Sequence, residues 1–186
     1  MKLEDFTESK PVLRLEDYFN GRCQAWGIFE DRRGNIKRQF AVEILGQWDG
    51  SELIIHEDFR FVGGGTDRRV WNIRKTRSDT YEGVAEGVIG IAKGRVCGQA
   101  FRWRYRFALS VGKRRIKIDF DDWMLLQPDG VLINRATMRK FGFVVGRVWL
   151  FFHRNLNIAR QQLKVDLIAS DTPNQRKIQS VGQQAQ

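Results

Sequence analysis

From Gln24 onward the chain alternates apolar and polar positions at a period of two, the pattern of strands with one buried face. Trp26 and Ile28 share a face over Gln24 to Glu30, and Asp31 to Asn35 turns into a second strand over Ile36 to Trp48. There Phe40, Val42 and Ile44 alternate with Gln39, Ala41 and Glu43. Asp49-Gly50 is a further turn, and Glu52 to Val62 follows with Leu53, Ile55, Glu57, Phe59 and Phe61 in register. Strands are predicted over 68–75, 81–85, 88–92 and 95–109, with turns at Ser78-Asp79, Glu86-Gly87 and Lys93-Gly94. In the last of these, Cys97, Phe101, Trp103, Tyr105 and Phe107 oppose Arg102, Arg104 and Arg106, giving an aromatic inner face and an arginine outer face. Strands over 114–126 and 141–153 end the series, and a Gln127-Pro128-Asp129-Gly130 turn organises a hairpin between them.

Successive strands joined by tight turns, with hardly any helical pattern before residue 155, predict an all-β fold. The expected form is an antiparallel up-and-down β-barrel, lipocalin-like, with a β-sandwich as the alternative. Closure removes edge strands, and consecutive hairpins need no crossover. Val12, Leu15, Tyr18 and Phe19 have the spacing of a short helical turn that can plug one end. The predicted organisation is a flexible N-terminus over 1–11, one barrel domain over 12–154, and a C-terminal tail over 155–186 that is partly helical or disordered.

Charge inside this pattern marks the candidate site. Strand parity puts Asp122 on the face of Ile118, Phe120 and Met124, and Glu57 on the face of Ile55 and Phe59. A buried carboxylate needs a partner, and Arg69, Asn134 and Arg135 are the candidates, since each shares a face with apolar neighbours or returns on the adjacent strand. Trp26, Trp71, Trp103 and Tyr105 are read as lining the path of a bound chain.

Several blocks together carry a resemblance. They are Leu15-Glu16-Asp17-Tyr18-Phe19-Asn20-Gly21, Arg22 to Arg32, Arg68-Arg69-Val70-Trp71-Asn72-Ile73-Arg74-Lys75, the hairpin from Phe120 to Met138, and Lys140-Phe141-Gly142-Phe143. With these the chain resembles the bacterial domain-of-unknown-function 3833 family over about residues 12 to 154. The resemblance implies a calycin-like barrel and brings no assigned reaction. Many members are described as lipoproteins, whereas Met1 to Pro11 here has neither an apolar signal core nor a lipobox-like cysteine. The chain as given is therefore expected in the cytoplasm, or in the periplasm or at a membrane if a signal precedes it.

Composition narrows the chemistry. The chain has 186 residues and a formal net charge of +10, and no apolar run approaches the length of about 18 residues that a membrane helix requires. Arginine and lysine are spread over nearly every strand without a nucleic-acid-binding signature, so the charge predicts peripheral contact with anionic membrane rather than specific nucleic-acid binding. The 2 cysteines, Cys23 and Cys97, and the 2 histidines, His56 and His153, have no metal-ligand spacing, and no cofactor is expected. Gly63-Gly64-Gly65 is not followed by the Lys-Ser/Thr of a phosphate loop. No nucleophile elbow or paired acid-base motif is present. The sequence thus points to non-enzymatic binding of an apolar or amphiphilic small molecule, such as a fatty acyl chain, in a barrel cavity. A structural or accessory protein with a filled barrel is the alternative, and a lipid-modifying enzyme or its partner comes third.

Overall fold

In a computed structural model, which describes residues 1–111 and 114–154, the chain forms a closed antiparallel barrel of ten strands. These are β1 (Gly21–Asp31), β2 (Ile36–Trp48), β3 (Glu52–Phe61), β4 (Thr66–Lys75), β5 (Thr80–Ala85), β6 (Val88–Cys97), β7 (Ala100–Val111), β8 (Arg114–Leu126), β9 (Leu132–Lys140) and β10 (Phe143–His153). Each strand pairs with its sequence neighbours, and β10 closes on β1 through pairs running from Gln24↔His153 to Asp31↔Gly146. The up-and-down barrel expected from the alternation is the observed fold. Among the described residues no helix is long and apolar enough to cross a membrane.

Side-chain turn chemistry fixes the β1–β2 and β2–β3 connections. Asp49 Oδ1 accepts from the Ser51 and Glu52 amides, and Asp31 Oδ1 accepts from the Arg33 and Asn35 amides, so each aspartate fixes its own hairpin. One boundary differs from the sequence reading. The turn expected at Lys93-Gly94 lies inside β6, and the chain reverses at Gly98-Gln99 instead. Gly98 holds a φ of +52°, and a register shift between Ile89 and Lys93 interrupts the periodicity that places the turn too early. Cys97 consequently does not share the aromatic face of β7. It packs on the outer wall with Ala100 and Trp123.

One end of the barrel is closed by α1 (Leu15–Phe19). Its Leu15, Tyr18 and Phe19 are buried in the main core. Glu16 is buried as well, and its carboxylate accepts from Lys75 Nζ at 2.5 Å and from the Tyr81 hydroxyl at 2.7 Å. Burial alone would raise this carboxyl, but the two donors outweigh it and hold the group below its usual value. The Tyr18 hydroxyl lies 3.1 Å from both the Gly130 and Phe152 carbonyls, tying the plug to the β8–β9 turn and to the end of β10. Gly46 makes the seat, because a Cβ there would collide with the Phe19 carbonyl oxygen.

The N-terminal residues, expected to be flexible, pack on the outer wall. A 3-10 turn over Leu3–Phe6 buries Leu3 against Ala100 and Trp123, and the Phe6 and Trp123 rings lie 6.3 Å apart. The expected tail over 155–186 lies outside the described residues.

Candidate functional site

The inward positions of the strands enclose a cavity of about 550 Å³. It runs from Leu15 and Phe19 of the plug to Arg38, Phe61, Asp67 and Ser110 near the opposite rim. Its wall is mostly apolar and rich in aromatic rings, because the inward positions of β2, β3, β4, β7 and β8 carry Phe40, Phe59, Phe61, Trp71, Phe101, Trp103, Tyr105 and Phe120. Edge-to-face and stacked contacts fix these rings. Trp71 meets Trp103 at 5.8 Å and Tyr105 at 5.4 Å, and Tyr105 stacks on Phe120 at 4.9 Å with an interplanar angle of 5°.

Halfway along the wall this apolar lining is broken by Glu57, Arg69, Tyr105 and Asp122. Each arrives by strand parity: Glu57 and Arg69 are directly opposed in the β3–β4 register, and Tyr105 and Asp122 are inward residues of the adjacent strands β7 and β8. The Arg69 guanidinium is held between two rings, 5.4 Å from the Phe59 centroid and 4.9 Å from that of Phe107. Among the described residues no carboxylate lies within 4.0 Å of it.

The acids of this belt are shifted toward their neutral forms. Burial pushes Asp122 up to about 8, and the Tyr105 hydroxyl, which donates to its Oδ2 at 3.3 Å, opposes that only in part. Asp122 Oδ1 is buried without a hydrogen-bond partner. Glu57 is raised as well, by enclosure in the barrel and against the pull of Arg69 and a contact with the Trp71 indole. It keeps some accessible surface because it faces the cavity. Tyr105 is raised too, first by burial and then by the neighbouring Asp122 carboxylate. Both acids nearest the Arg69 guanidinium are thus shifted in the direction that removes their charge.

Of the nine residues proposed from sequence, Glu57, Arg69, Trp71, Trp103, Tyr105, Asp122 and Asn134 line the cavity. Asn134 is 1% exposed, and its Nδ2 donates to the Trp123 carbonyl at 3.3 Å. Trp26 and Arg135 are corrections. Trp26 points outward and is 45% exposed, since its neighbours Ala25 and Gly27 take the inward positions. Arg135 lies on the outer face of β9, opposite Trp123 on β8 and Trp149 on β10, so it cannot pair with Asp122. The outer face of β9 also carries the apolar Ile133, which is why an apolar neighbour misassigns the arginine. The sequence reading puts Phe59 and Phe107, the rings that grip Arg69, on inward faces with Glu57 and Tyr105 but does not count them among the site residues. Among the described residues no cluster of His, Cys, Asp and Glu could hold a metal ion.

A β-barrel with one plugged end and an aromatic interior crossed by a charged belt defines the class of this protein. The model of the family described as "Protein of unknown function (DUF3833)" matches residues 1–154, and the chain belongs to that family. The match begins at residue 1, which takes in the N-terminal turn as well as the barrel. No curated protein matches the chain.

Proposed function

We propose that the protein binds an amphiphile with an acidic head and an apolar chain, of the fatty-acid type, inside the barrel. The observation that carries this reading is Arg69: a cation facing an aromatic cavity of about 550 Å³, with no carboxylate within 4.0 Å among the described residues. A cavity of this size falls in the range of small-molecule sites, which are largely apolar with a few convergent polar groups. Arg69 is only partly buried and has no carboxylate within 4.0 Å among the described residues, and an incoming carboxylate would supply its guanidinium with a partner in a bidentate geometry. The neutral form of Asp122 adds an O–H donor close by, on the carboxyl whose Oδ1 has no protein partner. The aromatic walls on either side of the belt accommodate the chain. An open interior of this volume also weighs against a purely structural barrel packed solid with side chains.

The test is extraction of the natively purified protein into organic solvent with mass spectrometry of the extract, alongside titration with a fluorescent polyene fatty acid. A retained acidic amphiphile, or saturable binding of the probe that a non-fluorescent fatty acid displaces, is the expected result. A ligand-free protein that gives no saturable binding would contradict the proposal.

A further inference from the structure

The hairpins β1–β2, β3–β4, β5–β6, β7–β8 and β9–β10 all turn at the end of the barrel opposite α1, because the strands alternate in direction around a closed sheet. This rim carries the three most exposed large hydrophobic residues among those described: Phe141 at 87%, Phe143 at 77% and Val62 at 74%. Ile36, the first residue of β2, is 53% exposed. Such a group at one pole marks an interaction surface rather than scattered surface residues.

The β9–β10 turn carries a second and independent signal. Its two central residues are Phe141 and Gly142, with φ of +51° and +83°, the conformation in which Asn-Gly is the favoured pair. A phenylalanine in left-handed backbone strains the turn, and here the strain gives it no packing inside the protein, since its ring projects into solvent. The neighbouring Lys140 approaches that ring, with Nζ 5.3 Å from the centroid. Cations surround the apolar tips. Arg32 and Arg33 lie in the β1–β2 turn, Lys37 and Arg38 stand at the start of β2, and Lys140 flanks Phe141. The acids of the same loops are Asp31, which pairs with Lys37 at 3.2 Å, together with Asp67 and Glu86.

From this rim we infer that the barrel docks mouth-first on an anionic phospholipid bilayer, with Phe141, Phe143 and Val62 entering the interface and the surrounding arginines and lysines meeting lipid phosphates. Aromatic tips ringed by cations fit the boundary between acyl chains and an anionic headgroup layer. The docking stands on the rim alone. That the mouth would then receive its ligand directly from the bilayer rests on the binding proposed above.

The experiment is flotation of the full chain with phosphatidylcholine vesicles, with and without phosphatidylglycerol, at low and high salt. Wild-type protein should float with the anionic vesicles and be released by salt. The double variant Phe141→Asn, Phe143→Thr removes the apolar tips while giving the turn the residue it prefers and the strand a good β-former. It should lose about tenfold or more in vesicle affinity, with an unchanged or higher melting temperature. Trp26→Thr, which removes an exposed aromatic from the outer wall, should bind vesicles as wild type does. Absence of wild-type binding, equal binding to pure phosphatidylcholine, or equal loss in the Trp26 variant would overturn the proposal. So would vesicle-independent self-association through Phe141 and Phe143. Fluorescent fatty-acid binding in solution should be intact in the double variant, so failure of docking and failure of the cavity reading are read separately.

Discussion

Glu57 and Arg69 face each other across the β3–β4 ladder and both point into the barrel, yet they do not form an ion pair within 4.0 Å. Arg69 is drawn instead between Phe59 and Phe107. Glu57 then acts on Arg69 only at a distance, and under the binding proposed above it would compete with the incoming carboxylate. Glu57→Gln is expected to fold normally and to bind a fatty-acid probe more tightly at alkaline pH, by up to about tenfold, or 1.4 kcal/mol. Fluorescence titration checks this, and weaker binding would mean that Glu57 is needed to position Arg69.

Asp122 makes stability depend on pH. Its carboxyl titrates at 3.8 in the unfolded reference and at about 8 in the folded protein, so between these values the folded state holds a proton that the unfolded state has lost. The stabilising contribution of the neutral acid is complete below pH 4 and is lost as pH rises through about 8, at about 1.4 kcal/mol per unit of difference as an upper bound. Asp122→Asn should therefore flatten the decline of the melting temperature between pH 5 and pH 9, gaining most over wild type at the alkaline end. Parallel melting curves for the two proteins would contradict the buried neutral acid.

The plug depends on Gly46. A methyl carbon at this position would overlap the Phe19 carbonyl oxygen, so Gly46→Ala must displace α1 or bend β2. A loss of about 1–3 kcal/mol is expected, at the upper end for so close a backbone contact. Chemical denaturation measures it, and a change below about 0.5 kcal/mol, the range of ordinary surface substitutions, would show that α1 does not sit on β2 in this way.

The two cysteines are free and differ in environment. Cys23 is 4% exposed, and burial first, with nearby Glu57 second, pushes its thiol up to about 12. Cys97 is half-buried on the outer wall, 3.5 Å from the Thr7 hydroxyl. A thiol reagent should label Cys97 readily in the native protein and Cys23 only after unfolding. Equal labelling rates would contradict the barrel parity around Cys23.

Much of this architecture is legible from strand parity. Phe101, Trp103, Tyr105 and Phe107 alternate with Arg102, Arg104 and Arg106, and that pattern alone gives the inward face of β7. The same rule places Glu57, Arg69 and Asp122 inside. Parity does not say which face is the interior when both are apolar, and Trp26 and Arg135 are misplaced for that reason: outward residues such as Ile28, Ile133 and Trp149 cover much of the wall around β1, β9 and β10. The order of the N-terminal turn is not legible either, because Leu3 and Phe6 are isolated apolar residues among charged ones, and their partner Trp123 is distant in sequence. The grip of Phe59 and Phe107 on Arg69 joins β3, β4 and β7, and needs the closed barrel to become visible.

The most direct test of the account is titration of Arg69→Met with a fluorescent polyene fatty acid and with its methyl ester. Removing an unpaired interior cation should leave the fold as stable as wild type or more so, which the melting temperature reports. Binding of the free acid should fall by tenfold or more, about 1.4 kcal/mol, while the ester, which has no charge to lose, should bind about as it does to wild type. A folded Arg69→Met protein that binds acid and ester as the wild type does would contradict the assignment of Arg69 as the head-group partner.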